Sequence, residues 1–165
     1  MKKYKKNGYS LIEVVIYISL LSVVLVILFS LFQQTIFLRG KINDKAEVLD
    51  NAKFALNKIV WYIHEAEGLN APLYGQTTNS LSINNSIPAN NPIVFFIEDD
   101  TLKVQKSSNP AVPLTNDRVK VDSISFTNNS YADTQNIISI SITVSSQGSF
   151  WQTSPISLQT SAKFK

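Results

Sequence analysis

Cysteine is absent from the 165 residues, histidine occurs once and methionine once. The first absence excludes a disulfide framework, thiolate metal sites and a lipidated N-terminal cysteine. With a single histidine and no G-x-S-x-G run, no nucleophile–base constellation of the hydrolase type can be assembled. His64, Glu65 and Glu67 match no helical zinc signature and are expected on a solvent face. Nothing in the chain calls for a cofactor. The most informative absence is local: from Val14 to Leu38 there is no charged residue, no proline and no glycine.

Charge is distributed just as unevenly. The formal net charge of +3 invites a nucleic-acid reading, but Lys2, Lys3, Lys5 and Lys6 supply the excess. Without them, eleven basic residues stand against twelve acidic ones, and from Leu69 to Lys165 there are six of each sign. A nucleic-acid-binding domain would carry a basic stripe on its folded part, so no nucleic-acid partner is expected. The four lysines instead flank an apolar run, where positive charge holds that end of the chain in the cytoplasm.

A helix rises about 1.5 Å per residue, and about 20 apolar residues cross a bilayer. The run from Val14 to Leu38 is therefore long enough to span with some tilt, with membrane lipids around it. A cleaved secretory signal fits less well, since the run is long and no small-x-small site follows. A buried soluble helix fits worst, because the segment is apolar on nearly every face. A plain signal anchor on an unrelated domain stays open. Beyond the run, Val48, Ala52, Ala55, Leu56, Ile59 and Ile63 recur at three- and four-residue steps, which predicts an amphipathic helix continuing to about Glu67. Gly68 is the expected stop, and Pro72 forbids much continuation.

Composition then shifts. Residues Leu69 to Pro92 are rich in Asn, Ser, Thr and Pro and read as a loop with one short strand near Leu81. Ile93 to Ile97 and Leu102 to Gln105 read as a hairpin across Glu98–Thr101. In Val119, Val121, Ile124 and Phe126 the alternation changes phase near Asp122–Ser123, as a bulge would produce. Ile138, Ile140, Ile142 and Val144 alternate with polar residues. Ile156, Leu158, Thr160, Ala162 and Phe164 share one face of a last strand. Strands apolar on one side predict an antiparallel sheet with one covered face, and the stripe from Val48 to Ile63 is the available cover. The fold class expected is α+β. Trp61, Tyr62 and Trp151 are expected to pack in the core or on the stem. Glu98, Asp99 and Asp100 are expected to form a polar turn, with calcium as the competing reading.

The segment Lys5-Lys6-Asn7-Gly8-Tyr9-Ser10-Leu11-Ile12-Glu13 resembles the type IV pilin and type II secretion pseudopilin family. That family's pattern is a short basic leader ending in Gly, an aromatic residue or Met, then a hydrophobic run with Glu at its fifth position. Gly8, Tyr9 and Glu13 match, and the resemblance extends to about Phe32. It implies a leader at 1–8, a transmembrane helix at 9–38, an amphipathic stem at 39–68 and a β-rich head at 69–165. It also implies a prepilin peptidase that cuts between Gly8 and Tyr9 and methylates the new amine of Tyr9, with Lys2, Lys3, Lys5 and Lys6 holding the leader at the cytoplasmic face. Glu13 would pair with the amine of a neighbouring subunit.

A carboxylate inside an apolar span costs about 2.5–3.5 kcal/mol at a helix centre and less near an end. Glu13 therefore asks for a function on physical grounds too, against the alternative of a tolerated interfacial charge. The partners implied are other pilin or pseudopilin subunits and an inner-membrane assembly platform. The place implied is a single pass of the cytoplasmic membrane with the C-terminal domain outside, and then a pilus or pseudopilus. The C-terminal residues Leu158 to Lys165 and the strand Val119–Phe126 look most like minor pilins of the J or W type. Two other classes stay open: a receptor for DNA or a surface ligand displayed on the same stem, and an anchored enzyme.

Overall fold

A computed structural model of the chain describes residues 10–130, 137–148 and 154–164. It divides into two compact units, Met1–Gly40 and Lys41–Lys165. One helix, α1 (Leu11–His64), contributes residues to both.

Among the described residues of the first unit, the regular element is the N-terminal part of α1. Its backbone begins with Ser10, whose carbonyl accepts from the amides of Glu13 at 3.0 Å and Val14 at 3.2 Å. The apolar residues from Leu11 to Leu38 are exposed on every face, and the stretch is long and apolar enough to cross a membrane. Three of the hydroxyls within it turn back onto the helix. Ser19 donates to the carbonyl of Ile16 at 2.8 Å, Ser22 to Ser19 at 2.7 Å and Thr35 to Leu31 at 3.0 Å. Each of these three hydroxyls thus has a backbone acceptor within its own helix, which suits a polar group facing hydrocarbon.

The second unit is built on the outer part of α1. Val48, Ala52, Ala55, Leu56, Ile59 and Ile63 are all buried, joined by Tyr62. Ala52 and Ala55 have no exposed surface. The cover is two antiparallel sheets rather than the single sheet expected. The first runs β1 (Ala66–Ala71), β3 (Leu81–Asn85), β4 (Ile93–Glu98), β5 (Thr101–Lys106) and β6 (Val112–Pro113). The second runs β2 (Thr77–Thr78), β7 (Val119–Asn128), β8 (Ile137–Ser146) and β9 (Ile156–Lys163). The amide of Val121 in β7 donates to the carbonyl of Asp100 at 2.8 Å and ties one sheet to the other. Both sheets turn their apolar faces into one core with the helical stripe, centred on Phe95, Phe126, Ile59, Ile83 and Ile140. The architecture is α+β and pilin-like, a long apolar N-terminal helix packed against antiparallel sheet.

Most of the strand pattern appears as the periodicity requires. Glu98 pairs with Thr101, and the two residues between them, Asp99 at φ 52° and Asp100 at φ 59°, both adopt the left-handed conformation. Positive φ at both central residues is the turn that matches strand twist in a two-residue hairpin, and Asp tolerates it better than most side chains. The register of β7 against β8 shifts between Val121 and Ser123. Asp122 is therefore the extra residue of a bulge, which returns Ile124 and Phe126 to the core face. On β8 the four residues Ile138, Ile140, Ile142 and Val144 are all buried.

Two further expectations are corrected. Helix α1 ends at His64, not near Glu67, and Gly68 lies within strand β1. Pairing with β3, and burial of Ala66 in the core, take the chain into a strand before the glycine is reached. The stretch read as a loop from Leu69 holds β1 and β2 as well as the strand at Leu81. Its strands are held by polar ladders: Asn70 and Asn84 exchange amide hydrogen bonds of 2.7 and 2.8 Å, and the hydroxyls of Thr77 and Thr127 meet at 2.9 Å. Such pairs stabilise a sheet without a hydrophobic signature. Trp61, half exposed on the stem, packs edge-on against Tyr62 at 4.8 Å, and Tyr62 is buried in the core, as expected. Trp151 lies outside the described residues.

Candidate functional site

Glu13 sits in the first turn of α1. A carboxylate there is favoured by the positive end of the helix dipole and by the amides that have no intrahelical acceptor. The Tyr17 hydroxyl, one turn along, donates to Glu13 Oε1 at 3.4 Å. Among the described residues no cationic side chain reaches ion-pair distance of Glu13. Gly8, Tyr9, Lys2, Lys3, Lys5 and Lys6 lie outside the described residues, so of the expected processing and assembly residues only Glu13 is placed.

The other candidates separate by environment. His64, Glu65 and Glu67 are exposed, and no cluster of three or more His, Asp or Glu among the described residues is arranged to hold a metal ion. Glu98, Asp99 and Asp100 stand in the hairpin turn, and their carboxylates face lysines. Lys103 Nζ lies 2.7 Å from Glu98 and 3.6 Å from Asp99, and Lys120 Nζ lies 3.1 Å from Asp100. The hydrogen bond to Glu98, reinforced by the charges of Glu98 and Asp99, holds the Lys103 ammonium above its usual range.

Two features were not anticipated from the sequence. Glu47 on α1 accepts from Asn116 Nδ2 at 3.0 Å and from Arg118 Nη1 at 3.2 Å, while Asn51 Oδ1 accepts from the Asn116 amide at 3.2 Å. These bonds fasten the loop before β7 onto the helix across more than 60 residues of chain, a separation no periodicity encodes. The Tyr17–Glu13 pair, by contrast, was open to inspection. Its i, i+4 spacing puts both side chains on one helix face.

Residues 3–29 match the family described as the prokaryotic N-terminal methylation motif. The match covers the leader from Lys3 onward, Gly8, Tyr9, Glu13 and most of the apolar run. It supports a type IV pilin or pseudopilin family, and with it a structural subunit processed by prepilin peptidase and assembled with other pilins. Together with the exposed apolar helix, it fits an inner-membrane-anchored pilin. No curated protein and no solved structure matches the chain.

Proposed function

We propose that this pilin-like chain is a minor pilin or pseudopilin, cut between Gly8 and Tyr9, methylated at the Tyr9 amine and built into a filament through its N-terminal helix. The observation that carries the reading is the methylation motif at residues 3–29 continuing into a helix whose apolar side chains from Leu11 to Leu38 are exposed. Side chains exposed in this way need lipid before assembly and other helices after it. Lys2, Lys3, Lys5 and Lys6 hold the leader at the cytoplasmic face, where the peptidase acts. The segments at 9–38, 39–68 and 69–165 then serve as membrane anchor, stem and extracytoplasmic head. An inner-membrane platform lifts the processed subunit out of the bilayer.

Glu13 has the central role in that step. Once Tyr9 is the N-terminus, each subunit carries one buried cation and one buried anion. Pairing Glu13 of one subunit with the Tyr9 amine of its neighbour compensates both and sets the axial stagger. The balance of charge on the head, six residues of each sign from Leu69 onward, favours this structural role over display of a DNA receptor. The J or W type of minor subunit is the subtype favoured by residues 158–165 and by the strand at Val119. The direct test is the mass of the mature N-terminus. Methylated Tyr9 is the expected result, and a chain still starting at Met1 rejects the reading.

A further inference from the structure

The end of α1, strand β5 and the segment at 109–114 enclose a groove of about 270 Å³. Its wall includes Tyr62, only 6% exposed, whose ring meets Phe95 edge-on at 5.5 Å. Val104 and Leu114 add apolar wall. Lys58 from the helix and Lys106 from β5 converge here, with Nζ atoms 5.6 and 5.4 Å from the Tyr62 ring centre. Lys58 Nζ also lies 4.8 Å from the ring centre of Trp61.

This arrangement is unusual in its charge. Both lysines are half-buried, and among the described residues neither has a carboxylate within ion-pair distance. The Tyr62 phenol likewise makes no hydrogen bond to a described residue. Aromatic faces attract an ammonium, but two like charges brought to one ring also repel. The carboxylates of Glu98, Asp99, Glu47 and Asp100 are spent on Lys103, Arg118 and Lys120. A carboxylate entering the groove would meet two cations, and charge-assisted hydrogen bonds of this kind are about twice as strong as neutral ones. The apolar wall suits a short aliphatic stem behind it.

The surroundings indicate where that carboxylate comes from. Phe54 and Trp61, seven residues apart and so on one helix face with Lys58, are 57% and 52% exposed, and Val112 on the groove is 58% exposed. Exposed aromatic residues around a desolvated centre mark a protein-binding surface. We propose that this groove is a subunit contact, which receives an acidic side chain from a neighbouring pilin between Lys58 and Lys106. The identity of the partner rests on the filament reading above; the carboxylate-binding groove does not.

Two measurements separate those parts. In the first, the full chain in detergent, with Trp151→Phe so that Trp61 reports alone, is titrated with glutarate. Saturable change in Trp61 emission is expected, absent with uncharged glutaramide and weakened about tenfold or more in Lys58→Gln/Lys106→Gln. Recovery in Lys58→Arg/Lys106→Arg is expected, since the charge returns. No response to glutarate, or an equal response in the glutamine variant, overturns the groove. In the second, cells are treated with a carbodiimide, which joins a carboxylate directly to an amine, and the peptides are read by mass spectrometry. Lys58 or Lys106 joined to an Asp or Glu of another subunit is expected. Glutarate binding with no such link overturns the neighbouring subunit as occupant. The mature N-terminus read in the same sample tests the pilin assignment independently, since a chain starting at Met1 rejects that assignment whatever the groove binds.

Discussion

The phenol of Tyr17 is the hydrogen-bond donor that the structure places on the Glu13 carboxylate, at 3.4 Å and one helical turn away. The bond is long, and it lies in a segment otherwise surrounded by apolar side chains. A hydroxyl in that position offsets part of the cost of an acidic group near hydrocarbon while the subunit waits for assembly. Tyr17→Phe removes one oxygen and keeps the ring. Processing after Gly8 is expected to be unchanged, and the membrane-held subunit to lose about 0.5–1.5 kcal/mol, the net worth of one hydrogen bond. Steady-state abundance of the processed subunit, measured by immunoblot, should fall in Tyr17→Phe and stay level when the same change is made on Glu13→Ala. An equal fall in both backgrounds would assign Tyr17 to packing alone.

Glu13→Ala itself is expected to leave cleavage intact and impair incorporation. The peptidase would read the leader, Gly8 and the start of the apolar run, none of which changes. In the filament the Tyr9 amine is left unpaired, a loss of about 3–5 kcal/mol when fully buried and less where water reaches it. The measurement is the share of variant in sheared filaments made alongside wild type, with equal N-terminal processing confirmed by mass. Equal shares would reduce Glu13 to a tolerated interfacial charge.

A fragment of Lys41–Lys165 is expected to fold in water without detergent. This is the second compact unit, and the helical stripe from Val48 to Ile63 is buried within it, whereas the apolar run before it is not. A single cooperative thermal transition by circular dichroism is the expected result. An insoluble fragment, or one that melts without cooperativity, would move the boundary.

Phe95→Ala in that fragment is expected to cost about 3–5 kcal/mol, since it deletes a large core side chain and leaves a cavity. Phe95 has no exposed surface and makes the edge contact with Tyr62. Urea unfolding reads the loss as a shift in midpoint. A change below about 1 kcal/mol would mean that the core between sheet and helix collapses around the gap.

The same fragment is expected to bind DNA weakly or not at all. Its ten basic residues stand against eleven acidic ones, so the fragment carries no net positive charge to attract phosphates, whose neutralisation supplies most non-specific affinity. Fluorescence anisotropy across a salt series checks this. Tight, salt-sensitive binding would favour the displayed receptor instead.

What the sequence by itself determined about this protein is whatever depends on neighbours along the chain. The apolar run, the leader charges and the position of Glu13 are one-dimensional facts, because a membrane and a peptidase both read a contiguous segment. The stripe Val48 to Ile63, the β4–β5 turn, the bulge at Asp122 and the alternation of β8 follow from periods of 3.6 and 2, which bury one face of each element. The tertiary structure decided where those periods fail. It ended the helix at His64 because Ala66 could be buried and β1 could pair, and it made strands of Asn- and Thr-rich segments through cross-strand amide and hydroxyl bonds. It also split the expected sheet in two. The meeting of Lys58 with Lys106 beside Tyr62, and of Glu47 with Arg118, has no counterpart in the sequence. Such contacts join residues far apart in the chain, and their partners are selected by packing, which sets distances only once the core has formed.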